Sequence, residues 1–573
     1  MDPLTAIGIA TTCYEIGAKM IEVCETWKEA DREVQERVVI IESCWDRTKR
    51  QVDFMLRLTS IMDDDQRRVM DDLLAQLNRS LSLAIDIIET VIRRDSLTRP
   101  SLLSFGSRAK KASWVWKKSA LDDIMRDLER WQRRFDPSWF LLMKIASPVV
   151  DSELARARAA DGRRQGPATV TENPLTVAAG LRNVLSPNLD QARSLILPNS
   201  PMEWLVIPFS DAKAARRVSG SDTRWYIVDT IEVGPAARAR DVSRDVRLLA
   251  TKLAQADPLA FGLLNCKGVM AIPRRTPYAD PNASPDAGSP QHLGLPSPPP
   301  YPRSPSPSQR DFSHFQFVFR IPDGMEVLQS LRHLLLNSDE HISLSQKMRI
   351  ARELAKAVNY VHTFAFVHKN IRPESVLCFE DPDGSRSNVF LVGFDAFRAA
   401  DAGTMMAGDM SWDRNVYRHP LRQGDDPADR YRMQHDIYSL GVCLLEIGIW
   451  ESFVEYTSEN ETPPGGKQLA KFGKSYYQFQ AWMKEKSATG GRQGSTTFLD
   501  SLAFKLKDYL VELAHTRLPP RMGEQYARVV LSCLTCLDDD NEDFAGLEDS
   551  ASDDVVAVHF IETVMKLLDG ISV

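Results

Sequence analysis

At 573 residues the chain is long enough for roughly two to four domains, and 43% hydrophobic with 26% charged residues is a globular balance. That balance excludes a collagen, a wholly disordered chain and a small disulfide scaffold. A net charge of −7 gives no global basis for nucleic-acid binding, and no nucleic-acid partner is expected. The eight cysteines are sparse and unpatterned, which suits a reducing compartment. Cys533 and Cys536 form one CxxC with no second pair, so buried thiols are expected there and no metal.

The first 25 residues are apolar, but Asp2 replaces a basic leader and Glu15, Lys19 and Glu22 interrupt the run. Neither a secretory signal nor a membrane span is expected there, and no other uncharged apolar stretch reaches about 18 residues. Residues 1–150 read as almost pure helix. Leu4, Ile7, Tyr14, Ala18, Ile21 and Trp27 begin a loosely spaced amphipathic segment rich in Gly and Ala. Val34, Val38, Ile41, Trp45, Thr48, Val52 and Met55 then alternate spacings of four and three, and Met70, Leu74, Leu77, Leu81, Ala84, Ile88 and Val91 do the same. Such stripes must pack on one another at shallow angles, as in a helical bundle. Leu121, Ile124, Leu128, Trp131 and Phe135 supply a fourth helix, with an apolar coda at 139–145.

Between the third and fourth helices, residues 96–118 carry Arg99, Arg108, Lys110, Lys111, Lys117 and Lys118 with no acid, and Trp114 and Trp116 sit among them. Two readings stand: an anionic-membrane contact, each cation contributing about 1 kcal/mol near such a surface, or a solvated loop. Residues 151–200 read as a linker broken by Pro174, Pro187 and Pro198. Strands follow at 204–208 and 225–233, then a helix over 242–253. Residues 277–310 are a Pro/Ser insertion with Ser-Pro dipeptides at Ser284, Ser289, Ser297, Ser304 and Ser306, expected to be disordered. A globular pattern resumes at Phe315 and runs to a last helix over 555–568, after an acid-rich stretch from Asp538 to Asp554.

Four motifs occur in order in the second half. His368-Lys369-Asn370-Ile371-Arg372-Pro373-Glu374-Ser375 follows a helix ending at His362, and Gly393-Phe394-Asp395 comes eighteen residues after Ser375. Tyr417-Arg418-His419-Pro420 and Asp436-Ile437-Tyr438-Ser439-Leu440-Gly441 complete the set. Their order resembles the protein kinase C-lobe: the catalytic loop H-R-D-x-K-P-E-N, the D-F-G, the A-P-E region and the following D-x-W-S-L-G helix. The resemblance implies an α+β two-lobed fold, with an N-lobe at 201–342 and a C-lobe at 343–573. It also implies framework roles for Pro373, Tyr417, Pro420, Asp436 and Gly441, with Asp436 holding the catalytic-loop backbone.

The chemical positions depart from the pattern. Phosphoryl transfer needs a carboxylate for the hydroxyl, metal ligands, a lysine held by a glutamate and a glycine loop over the phosphates. Here the base position holds Asn370, the loop metal position Ser375, and the D-F-G carboxylate position Gly393, with Asp395 displaced. No glycine loop or strand lysine is found, and the helix over 241–256 has Asp245 but no Glu, leaving Lys252 as a phosphate candidate. Losing several pre-organised groups together, each worth about 10² to 10³ in rate, implies a pseudokinase.

The opening MDPLTAIGIATTCYEIGAKM, the heptad-like helices and DPSWFLLMKIA at 136–146 resemble the HeLo and HeLo-like domains of filamentous fungi. That resemblance implies a self-associating bundle at 1–150 whose first helix inserts into membranes in regulated cell death or incompatibility. A bundle beside a degenerate kinase also resembles the mixed-lineage kinase-like executioners of necroptosis, which implies a latch. The first reading is therefore a non-catalytic signalling protein with protein partners, cytoplasmic and recruited to the inner face of the plasma membrane. It needs no cofactor and leaves room for weak ATP binding. A divergent active serine/threonine kinase using Asp395, and a scaffold that recruits partners through 277–310 without membrane action, are the alternatives.

Overall fold

The computed structural model describes residues 3–25, 32–58, 64–97, 119–125, 128, 195–218, 224–232, 239–254, 256, 258–273, 312–337, 342–380, 387–394, 398–399, 410–424, 427, 429–457, 469–488, 498–544 and 553–571. The apolar coda at 139–145 and the Pro/Ser insertion at 277–310 lie outside these residues.

Three long helices open the chain: α1 (Pro3–Glu25), α2 (Arg32–Leu58) and α3 (Asp64–Leu97). The stripes of α2 and α3 are buried from Val34 to Val52 and from Met70 to Ile88, and Leu121, Ile124 and Leu128 join them. Arg37 Nε donates to Asp122 Oδ1 at 2.7 Å, tying α2 to the helical segment 119–125. The face of α1 differs from the expected one. Ala10, Cys13, Gly17, Met20 and Cys24 are buried, whereas Ala18 is exposed and Tyr14 and Ile21 are half-buried. Small residues at spacings of three and four let α1 lie close to α2, and a Cβ on Gly17 would overlap the Trp45 ring. Tyr14 stands edge-on to Trp45 and donates to Asp53 Oδ1 at 2.5 Å. Burial pushes the Cys13 and Cys24 thiols up to about 12. Among the described residues no helix is long and apolar enough to cross a membrane.

A five-stranded antiparallel sheet follows, built from β1 (Met202–Val206), β2 (Lys213–Arg217), β3 (Tyr226–Glu232), β4 (Cys266–Pro273) and β5 (Phe312–Arg320) in the order β1-β2-β3-β5-β4. Strand β2 was not anticipated: KAARR carries three cations and lacks the alternation that marks a strand. Its alanines pack inward while its cations stay at the surface. Residues 195–197, placed in the linker by composition, lie along β4, with Leu197 N donating to Val269 O at 2.9 Å. The helix Ala239–Leu253 packs on β4 and β5 through Val246, Leu249, Ala250 and Leu253.

Beyond the sheet the chain is mainly helical. The helix Leu344–Thr363 begins at a capping box between Ser343 and Gln346. The helix Met433–Ile449 is buried along its whole length and packs against Leu344–Thr363 and Glu524–Leu534. Gly441 makes that possible, since a Cβ there would stand 2.8 Å from Cys533 Cβ. Cys533 and Cys536 are both buried, with their thiols pushed up by burial. The last helix is not one element but Asp553–Phe560, a wider π turn at Ile561–Met565, and Lys566–Gly570. The wide turn keeps Phe560, Val564 and Leu568 all buried.

Replacing Gly17 by Leu is expected to overpack α1 against Trp45 and lower stability by about 1–3 kcal/mol, despite the better helix former. Denaturant unfolding followed by tryptophan fluorescence checks this.

Candidate functional site

The loop 368–375 is held from below by one buried carboxylate. Asp436 accepts from the backbone N–H of His368 at 2.7 Å and of Lys369 at 2.9 Å, and from the Tyr431 hydroxyl at 2.7 Å. His362 Nε2 lies 3.1 Å from Asp436 Oδ2, the oxygen that also accepts from His368. Burial opposes the charge on Asp436, but these bonds and the neighbouring imidazoles hold its carboxyl below the usual range. Lys369 takes the left-handed conformation at φ +66°, which turns the loop so that both amides face Asp436. His368 is buried against the Phe394 ring at 4.8 Å, and burial lowers its imidazole to about 4, so it is neutral near pH 7. Pro373 opens the 3-10 turn Pro373–Ser375, and Pro420 opens a second one at Pro420–Arg422.

The groups at the chemical positions are spent on one another. Asn370 Nδ2 donates to Gly393 O at 3.2 Å while its Oδ1 accepts from Arg372 Nε at 2.8 Å. An amide so engaged cannot take a proton from a hydroxyl near neutral pH. Ser375 Oγ donates to Arg372 O at 2.8 Å and accepts from Arg372 N at 3.2 Å, closing its own turn. Gly393 has φ +85°, and a Cβ there would lie 2.8 Å from Ser375 Cβ, so the position is built for glycine. Asp395 lies outside the described residues, as does the basic segment with Arg108, Lys110, Lys111, Trp114, Trp116, Lys117 and Lys118. Lys252, the phosphate candidate, is buried elsewhere: its Nζ donates to Phe364 O at 2.5 Å and sits over the Phe366 ring. Asp245 pairs with its neighbour Arg244 at 3.3 Å.

A carboxylate that sequence reasoning missed closes the site. Asp229 is the fourth residue of β3. It is buried, and its Oδ2 accepts from the N–H groups of Gly393 at 2.9 Å and Phe394 at 2.6 Å. An acid inside the apolar run YIVDTI was the available signal, because a buried carboxylate demands donors.

The turn between β1 and β2 then reaches down to the loop. Ser210 Oγ donates to Glu374 O at 2.9 Å, Ser330 Oγ donates to Pro208 O at 2.6 Å, and Asp211 pairs with Arg372. Phe209, at φ +53°, lies 4.9 Å from the Tyr456 ring and 6.0 Å from His333. Where a kinase has a glycine loop spread over phosphates, this turn is anchored by side chains to the opposite wall.

Behind the loop sits a buried ion cluster. Arg332, fully buried, donates from Nε to Glu374 Oε1 at 3.0 Å and from Nη1 to Glu446 Oε1 at 3.0 Å. Tyr417 accepts from Arg332 and donates to Glu446 Oε2 at 2.9 Å, and Tyr456 donates to Glu374 Oε1 at 2.7 Å. Burial opposes charge on every member, yet Arg332 and Arg372 bring the Glu374 carboxyl down to about 2. At Glu446 burial prevails and its carboxyl is raised. The Arg in LRHLLL was the sequence signal for this cluster, and it went unread.

Two substitutions test these contacts. Glu374→Gln leaves Arg332 short of a counter-charge and should cost about 3–5 kcal/mol at pH 7. The Glu374 contribution is fully present above its unfolded value of 4.5 and is lost as pH falls toward 2, so the gap from wild type should narrow between pH 5 and 3. Denaturant midpoints at several pH values read it. Gly393→Asp, which restores the motif's carboxylate, should instead destabilise by about 1–3 kcal/mol because its Cβ meets Ser375 in a left-handed backbone.

Comparison with known proteins reaches part of the chain. No family model matches the chain. A putative ribosomal protein S6 kinase alpha-2 of Caenorhabditis elegans is 38% identical over 142 residues, 23% of this chain and 17% of the relative. The ribosomal protein S6 kinase alpha-4 of Homo sapiens is 30% identical over 135 residues, 23% of this chain and 16% of the relative. The serine/threonine-protein kinase TIO of Arabidopsis thaliana is 29% identical over 113 residues, 20% of this chain and 8% of the relative. The chain thus spans less than a fifth of the length of each of these relatives, and it contains a protein-kinase-like region.

Proposed function

We propose that this chain is a non-catalytic signalling regulator: a two-lobed pseudokinase coupled to a HeLo-like helical bundle, acting through protein partners. The observation that carries the reading is Asp229. A carboxylate stands on β3 where phosphate binding calls for a lysine, and it takes the two amides that open the Gly393-Phe394 turn. Phosphates brought there would meet a negative charge in a site of low dielectric, and the Asp211–Arg372 pair blocks the same opening. Asn370 and Ser375 supply neither a base nor a metal ligand. On this reading ATP is not required, and it enters only if the β1–β2 turn lifts. The kinase-like framework serves as a platform whose shape is set by Asp436 and Arg332.

The output belongs to the bundle. The basic, tryptophan-bearing segment 96–118 gives it affinity for an anionic membrane surface, and α1, whose sequence is rich in Gly and Ala, is the helix that detaches. The protein then acts from the cytoplasm at the inner face of the plasma membrane.

Purified protein given Mg·ATP and a generic basic substrate should transfer phosphate at under a thousandth of the roughly 1–100 per second of protein kinases. Transfer within that range, abolished by Asp395→Ala, would establish the divergent active kinase instead. For the membrane part, full-length protein should leave phosphatidylserine liposomes intact while Gly17→Leu, which loosens α1, releases entrapped dye. Silence from both proteins, with the variant bound to the liposomes, favours a scaffold without membrane action.

A further inference from the structure

A second site lies away from the loop, between the short helix Trp412–Asn415, the helix Lys474–Ala488 and the helix Phe498–Arg517. These elements enclose a half-open cavity of about 320 Å³. Five aromatic side chains stand in its wall: Trp412, Phe453, Phe472, Phe479 and Tyr509. Trp412 lies on Phe472 with ring centroids 4.2 Å apart, and Phe479 is 5.4 Å from Tyr509, so the wall is braced and pre-formed. Met410 and Phe472 are exposed at its mouth, which gives an apolar ligand an apolar way in.

The chemistry of the wall selects the ligand. Asn415, Gln423 and Ser475 are its polar side chains besides the Tyr509 hydroxyl and the Trp412 indole N–H, and no described lining residue carries a formal charge. The amide of Gln423 is already spent on the carbonyls of Asn415 and Arg418, at 2.9 and 2.7 Å. Ser475 is buried in the wall, and its Oγ has no hydrogen-bond partner among the described residues. An ionised ligand would leave water without a counter-charge, at a cost of several kcal/mol, whereas an uncharged one meets aromatic surface on every side. A cavity of about 150 Å³ lined by apolar groups holds a benzene, so this one accommodates about two fused rings or a chain of similar bulk.

We infer that this cavity is a binding site for an uncharged, apolar small molecule of two-ring size. The site stands apart from the Asp229 cleft and does not depend on the chain's being a pseudokinase.

The test uses full-length protein and the neutral two-ring fluorophore 1-naphthylamine, displaced by 2-naphthol or by 2-naphthoate. The fluorophore should bind saturably, 2-naphthol should displace it, and 2-naphthoate should need at least about tenfold more, since its charge has no partner in the wall. Ala503→Phe, which fills the cavity, should abolish the signal while the thermal midpoint stays within about 3 °C of wild type. Met410→Asp changes only the mouth and should weaken binding at least several-fold, which keeps the test decisive if the filled variant does not fold. A signal unchanged in the variants that fold, equal displacement by naphthol and naphthoate, or no saturable binding at all would each overturn the inference. The last result would leave the cavity to an apolar side chain of a protein partner.

Discussion

One carboxylate decides how the sheet meets the loop. Asp229 reaches from the middle of β3 to the backbone N–H groups of Gly393 and Phe394, and both bonds are buried. Hydrogen bonds to an ionised acceptor are roughly twice as strong as neutral ones, so the pair is a firm tie between distant parts of the chain. It also inverts the electrostatics. A kinase holds a lysine on an N-lobe strand to receive phosphates, whereas the acid of β3 here is held by two backbone amides. The conformation of the Gly393 turn follows from the same tie, because φ +85° is what presents both N–H groups to one oxygen.

Two further buried ions support this tie. Asp436 gathers the amides of His368 and Lys369, and Arg332 joins Glu374, Glu446 and Tyr417 in the interior. Such buried ions are hard to lose singly, since removing one leaves its partner charged and unsolvated. Asn370 and Ser375 bond within the loop and brace it. The β1–β2 turn shows the same logic, with Phe209, Ser210 and Asp211 as anchors where a glycine loop needs freedom.

Much of this was legible in the residues. The stripes of α2 and α3 were readable because strict spacing leaves one buried face, and the loop motifs because their order is long and specific. The buried face of α1 was misjudged by favouring large residues, when a glycine under Trp45 decides the contact. Strand β2 was hidden by its cations: only its two alanines are buried, one on each face, and two adjacent alanines give no alternation to read. Asp229 and Arg332 needed the fold, because their partners lie at least a hundred residues away or in other elements and no local pattern announces them.

The central claim is that the cleft is closed by the chain's own side chains. Equilibrium binding of a fluorescent ATP analogue, with and without magnesium, tests it most directly, comparing wild type with the double variant Asp211→Ala, Asp229→Ala. The account predicts no saturable binding by wild type up to about 1 mM, and measurable binding once both anchors are removed. Magnesium-dependent binding by wild type near micromolar concentrations would contradict it.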